Sequence, residues 1–181
     1  LVAGLLWVFQ RGGQDFHVFY RAWELVLQGR GREIYVVSPD RFLYAPGFAW
    51  LLCPLALLPR TAAFALWCGA KVAAMAWLTF QLGRSVPGKS TLVRGGTVAL
   101  GILILGRAFL IDLGYGQVNV FILASAVWAL ASHFQGRSQR FAFVSWFVLA
   151  ISAFAKIFPL PLLLIPFVAQ DKGPRRVLER W

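Results

Sequence analysis

A chain of 181 residues in which 59% of side chains are hydrophobic and 14% charged, with a formal net charge of +11 and a mean hydropathy of +0.68, holds more apolar surface than one soluble core of this size can hide. Lipid is therefore part of its expected solvent. The basic residues stand in short clusters between apolar runs, so the charge reads as topology determinants beside anionic headgroups, and nucleic acid is excluded as the partner.

Taken in chain order, residues 1–9 are apolar but shorter than the roughly 20 residues a spanning helix needs. They read as the end of a first membrane helix, and both chain ends read as cuts in a longer protein. Residues 10–60 form an expected outer loop. Within it Phe16, Phe19, Tyr20, Trp23 and Leu27 recur three to four apart, with Asp15, Arg21, Glu24 and Gln28 off that stripe. The spacing predicts an amphipathic helix lying in the membrane interface and ended by Gly29 and Gly31. Residues 47–58 are marginal in length.

Residues 61–169 read as transmembrane helices. Stretches 61–82, 96–112 and 117–133 are long enough or nearly so, and 141–169 is interrupted by Pro159, Pro161 and Pro166. Residues 170–181 are a basic segment. Cytoplasmic loops carry the Lys and Arg excess, which places 84–94, 134–140 and 171–181 inside and the uncharged turn 114–119 outside. Residues 47–58 then do not cross; a rival topology lets them cross and reverses the basic loop 84–94. The expected fold is all-α, a multi-pass transmembrane bundle with an interfacial helix in its first outer loop.

That outer loop is unusually basic, with Arg11, Arg21, Arg30, Arg32 and Arg41, and phosphate binding is one reason for such a departure. Asp15, where the interfacial helix begins, is either an N-cap or a general base at the outer surface. His17 is a polar-face residue or a substrate contact. Arg107, Asp112 and Lys156 interrupt apolar helices at about 3 kcal/mol each on insertion scales. Arg107 and Asp112 are five apart, about 140° around a helix, and make poor partners for each other. Near a helix end both can snorkel. Lys71, near the middle of its helix, has no partner that spacing identifies. In 114–119, Gly114 and Gly116 allow a tight turn beside the hydrogen-bonding Tyr115, Gln117 and Asn119, and the cost of Gln117 and Asn119 facing lipid favours a water-filled cavity over plain packing. Cys53 and Cys68 lie in apolar stretches without metal-ligand spacing, and neither a metal site nor a cofactor is expected.

The order of these pieces resembles a known family. An Asp follows the first helix, an interfacial helix leads to Tyr35, and then come Phe42-Leu43-Tyr44-Ala45-Pro46-Gly47-Phe48 and Pro54-Leu55-Ala56-Leu57-Leu58-Pro59. Ala65-Leu66-Trp67, Gly116-Gln117-Val118-Asn119 and Lys156-Ile157-Phe158-Pro159-Leu160-Pro161 follow. Together they are similar to the amino-terminal half of polyprenol-phosphate-mannose-dependent mannosyltransferases of the glycosyltransferase-C superfamily.

The resemblance implies an inverting hexosyltransferase of the bacterial inner membrane. It implies transfer of mannose from a polyprenyl-phosphate sugar to a lipid-linked or glycan hydroxyl on the outer face. Asp15 becomes the base, with His17, Arg41, Tyr44, Arg107, Asp112, Tyr115, Gln117, Asn119 and Lys156 as substrate contacts. Phe16 stands where many superfamily members carry a second acid, which points to the metal-independent branch. A transporter or flippase for a lipid-linked or anionic substrate is the other reading, since broken helices and midplane charges occur there too. Internal repeats, common in transporters, are not found in this sequence.

Overall fold

The computed structural model describes residues 13–36, 42–84, 90–134, 138–156 and 159–165, and every regular element among them is helical. They are α1 (Gln14–Leu27), a 3-10 turn (Gly31–Glu33), α2 (Pro46–Leu52) continued by a 3-10 segment (Cys53–Leu57), α3 (Arg60–Arg84), α4 (Thr91–Tyr115), α5 (Asn119–Phe134), α6 (Gln139–Ser152) and a last 3-10 segment (Leu160–Leu164). The chain divides into two compact units, Leu1–Val120 and Phe121–Trp181. The expected first-helix stub, Arg41 and the basic segment 170–181 lie outside the described residues.

In the first unit α1 forms where the aromatic stripe predicts it, but the stripe is spent on the protein's own chain. Phe16, Phe19 and Trp23 are fully buried and Tyr20 nearly so. Phe16 meets Phe64 at 5.1 Å between ring centroids, Phe19 meets Phe48 edge-on at 5.2 Å, and Trp23 meets Trp67 at 5.9 Å. Such pairs contribute about 0.5–1.5 kcal/mol each beyond their buried area. Leu27, the last position of the stripe, runs past this packing and is exposed.

The end of α1 is set by Gly29, whose φ of 73° is left-handed. Its N–H bonds the Val26 carbonyl and the Arg30 N–H bonds the Leu25 carbonyl, the paired closure that satisfies orphan carbonyls at a helix end.

Pro46 opens α2 in the first helical turn, where its missing N–H costs nothing, and Ala45 before it is extended. Pro54 has no N–H to continue the ladder, and the chain tightens into the 3-10 segment. This stretch packs against α1, with the Tyr20 hydroxyl donating to the Leu58 carbonyl at 2.7 Å.

α3 and α4 form an antiparallel hairpin whose contacts advance in step: Leu82 against Gly101, Lys71 with Asp112, Trp67 with Gly116. The register is staggered, so the first turns of α3, before Trp67, extend beyond the end of α4. Both helices are long and apolar enough to cross a membrane. A core helix of a soluble protein is mostly buried, whereas only 17% and 11% of their most apolar windows is buried in this protein. Leu100, Leu103 and Ile104 are among the residues that face outward.

In the second unit α5 and α6 meet through small side chains. The Ser125 and Ser152 hydroxyls lie 3.2 Å apart, and Ala126 and Ala129 pack with Leu149 against Trp146, Leu162 and Leu163. Small residues allow this close approach. α6 stops at Ser152, and the chain turns before re-entering a 3-10 segment at Leu160. The expected interruption is present, but it begins seven residues before Pro159; Pro159 and Pro161 lie at the start of the 3-10 segment, where they donate no N–H.

Candidate functional site

The beginning of α1 is seated on the end of α4. Gly13 N–H donates to the Gly114 carbonyl at 3.2 Å. Gly13 has φ 64°, and a Cβ there would lie 2.5 Å from the Phe64 ring. Gly116 has φ 73°, and its Cβ would lie 2.6 Å from Phe16 Cβ. Both positions therefore require glycine twice over, for conformation and for space. The turn Gly114-Tyr115-Gly116 is the floor on which α1 starts.

Asp15 stands in the first turn of α1, half-buried. The expected cap role is corrected: Gly13 occupies the N-cap, no side chain caps this helix, and Asp15 lies two residues further in. There a carboxylate still favours the positive end of the helix, by about 0.3–1 kcal/mol. Among the described residues no side chain hydrogen-bonds or ion-pairs with it.

Beneath it lies a feature the spacing did not reveal. Lys71 Nζ lies 2.6 Å from Asp112 Oδ2 and 2.6 Å from the Asp112 carbonyl oxygen, with both side chains almost wholly buried. Lys71 thus has a partner 41 residues away. Asp112 turns inward instead of snorkelling, and its Oδ1 has no partner among the described residues. The same Asp112 carbonyl accepts the Gln117 N–H, and Trp67, one turn before Lys71, donates its indole N–H to the Gly116 carbonyl at 2.9 Å. α3 thereby presents one cationic and one neutral donor to the carbonyl-rich end of α4, where positive charge is favoured.

Tyr44 stands edge-on to Phe19 at 4.8 Å. Burial pushes its hydroxyl up to about 12, with the nearby charges of Asp15 and Asp112 adding to the shift. Asp15 also lies within electrostatic reach of Lys71. Asp15, Lys71 and Asp112, with the neutral Tyr44 hydroxyl among them, therefore form one polar neighbourhood within the first unit.

The other expected contacts distribute unevenly. Tyr115, Gln117 and Asn119 are half-buried in the turn at α1's start, and Asn119 Nδ2 donates to Gln117 Oε1. His17 is exposed on α1, and Arg107 is exposed on α4 away from the buried pair. Arg21 and Arg30 each pair on the surface with a glutamate three residues on, Glu24 and Glu33. Arg41 lies outside the described residues. Lys156 belongs to the second unit, where its N–H bonds the Ser152 carbonyl just past α6.

Among the described residues no group of three or more His, Cys, Asp or Glu side chains is gathered as a metal site requires. Lys71 is the functional candidate that sequence reasoning missed. Its signal was that two opposite charges, each costly in an apolar helix, stood on consecutive helices.

The sequence matches no curated protein and no solved structure. The family profile of glycosyltransferase family 87 matches residues 42–177. That span takes in Tyr44, the α3–α4 hairpin with its buried ion pair, and most of the second unit, and the chain belongs to glycosyltransferase family 87.

Proposed function

We propose that this glycosyltransferase works in a membrane as a multi-pass protein. It moves a sugar, mannose by the resemblance described above, from a polyprenyl-phosphate donor to a lipid-linked or glycan hydroxyl on the outer face. Asp15 accepts the proton of the acceptor hydroxyl as its oxygen attacks the anomeric carbon. The bond from that carbon to the phosphate oxygen breaks, the configuration inverts, and polyprenyl phosphate leaves with the bonding electron pair. Because the leaving group departs as an anion, the protein's task is to supply the base and to hold the reactants in line.

One observation carries this reading. The Gly13–Gly114 bond seats an open, half-buried carboxylate at the end of two outward-apolar helices, which is where a lipid-borne sugar and a base can meet. The hydroxyl of Tyr44, which resists ionisation, stays a donor there at working pH and can hold a sugar oxygen.

The test is incubation of the protein in lipid with radiolabelled polyprenyl-phosphate mannose, glucose and galactose, each with an extract of lipid-linked acceptors. Consumption of the mannosyl donor with label appearing in an acceptor lipid or glycan is the expected result. Consumption of a different donor removes mannose and keeps the rest. Transport of the intact donor across the bilayer, with no transfer, overturns the reading.

A further inference from the structure

We infer that Lys71 is a positioning residue for the base: by holding the end of α4 it fixes the floor on which the start of α1, and with it Asp15, is seated. The inference rests on the reading of Asp15 as the base and extends it to a side chain that touches no substrate.

The chain of contacts is short. The Lys71 ammonium grips the Asp112 carboxylate and the Asp112 carbonyl. That carbonyl also accepts the Gln117 N–H, and Gly116 N–H bonds the Leu113 carbonyl, so the last turn of α4 closes around the atom Lys71 holds. Two residues past Asp112, the Gly114 carbonyl receives the Gly13 N–H. At Gly116 the backbone touches Phe16, so closely that no Cβ fits between them. A turn of α4 that rotates or frays therefore moves Gly114 and Gly116 together, and Asp15 lies between Gly13 and Phe16.

The chemistry of the pair fits this role better than simple stabilisation does. A buried ion pair is weak evidence for stability, because taking both charges out of water offsets their attraction, and apolar replacements of both partners are often neutral or stabilising. An ammonium that also binds a main-chain carbonyl provides something an apolar pair does not, a directional hold on one peptide group. In an apolar surrounding that hold has no water to compete with it. Trp67, one turn away on the same face of α3, holds the Gly116 carbonyl in the same way, so the two donors fix the turn at two points.

The experiment separates position from catalysis. Gln14 and Tyr115 are replaced by cysteine where Cys53 and Cys68 are serine, and a short bifunctional thiol reagent reports whether α1's start sits on the turn. The measurement is made with native Lys71, with Lys71→Met combined with Asp112→Leu, and with Lys71→Arg, all in lipid below their melting temperatures. Turnover is measured in parallel on the same Lys71 and Asp112 variants without the cysteine pair.

The expected result is that the apolar double variant keeps its melting temperature, yet its crosslinking drops to the level of single-cysteine controls. Its kcat falls by at least about 10²-fold, since a misplacement of roughly 1 Å already has that effect, while KM for the donor stays put, and Lys71→Arg recovers part of both losses. Undiminished crosslinking in the folded double variant overturns the inference, whatever the turnover. Lost crosslinking with unchanged kcat supports the positioning and removes Asp15 from the base role instead.

Discussion

The indole N–H of Trp67 and the carbonyl of Gly116 meet at 2.9 Å, and against that same glycine lies Phe16, at a separation that admits no side chain. One peptide group thus joins the wall of the hairpin to the helix that carries the candidate base.

Gly116→Ala is expected to cost roughly 2–4 kcal/mol, from left-handed strain and from forced displacement of Phe16. Gly29 has the same φ of 73° but nothing within 4 Å of a Cβ, so Gly29→Ala should cost only about 1 kcal/mol. Melting temperatures of the two variants in detergent measure the difference. Equal shifts would mean that Phe16 does not sit tightly on Gly116.

Asp15→Asn should lower turnover by about 10² to 10⁴, equivalent to roughly 3–5 kcal/mol of barrier. Because Asp15 is not the cap, the loss in stability is limited to its interaction with the helix end, about 0.3–1 kcal/mol. Transfer assays in lipid beside thermal melts read both numbers. Near-native turnover in this variant refutes the base assignment.

Chelation should leave transfer intact. The two acids nearest the site are not paired with each other: Asp15 stands half-exposed, while Asp112 is buried and bound to Lys71. A divalent ion needs oxygen ligands gathered around one point. Loss of activity in EDTA that manganese or magnesium restores contradicts this.

The tyrosine at 44 gives the fold an alkaline limit. Its hydroxyl is raised from 10.0 to about 12, so above pH 10 the unfolded chain loses this proton while the folded one keeps it. The associated stability is present in full below pH 10 and is lost progressively up to about 12. Tyr44→Phe should therefore show a shallower fall in melting temperature across that window than the parent protein, and parallel curves would count against the burial of Tyr44.

Orientation can be read with thiols. His17 and Ser90 are both exposed, one on α1 and one at the far end of the hairpin. Cysteine at each, with Cys53 and Cys68 replaced, should react with an impermeant reagent from opposite sides of sealed vesicles. Labelling of both from one side reverses the hairpin's role as a membrane crossing.

The parts legible in the sequence were those encoded locally. The aromatic stripe Phe16, Phe19, Tyr20 and Trp23 announced α1, Gly29 announced its end, and the prolines after Ala155 announced the broken helix. Periodicity says which face is apolar, not what covers it, so the same stripe was read as meeting lipid when it meets Phe48, Phe64 and Trp67. The cap was misread because Gly13, with its positive φ, takes the place a side-chain oxygen usually fills. Lys71 and Asp112 were seen as separate liabilities, since helical spacing relates residues a turn apart and carries no information about partners 41 positions away.

The stagger of the hairpin sets a height. Beyond the level of Trp67, α3 continues for about two turns, roughly 12 Å at 1.5 Å per residue, and the length it shares with α4 is close to 27 Å. The shared length is near the roughly 30 Å of a bilayer's hydrocarbon. With oil around that length, the overhanging turns rise as a pier into the headgroup layer, and α1 rests against them through Phe64 and Trp67. On the proposed reading Asp15 then stands level with lipid phosphates, and a prenyl-bound sugar would reach it by drifting sideways within its own leaflet, its tail never leaving the oil.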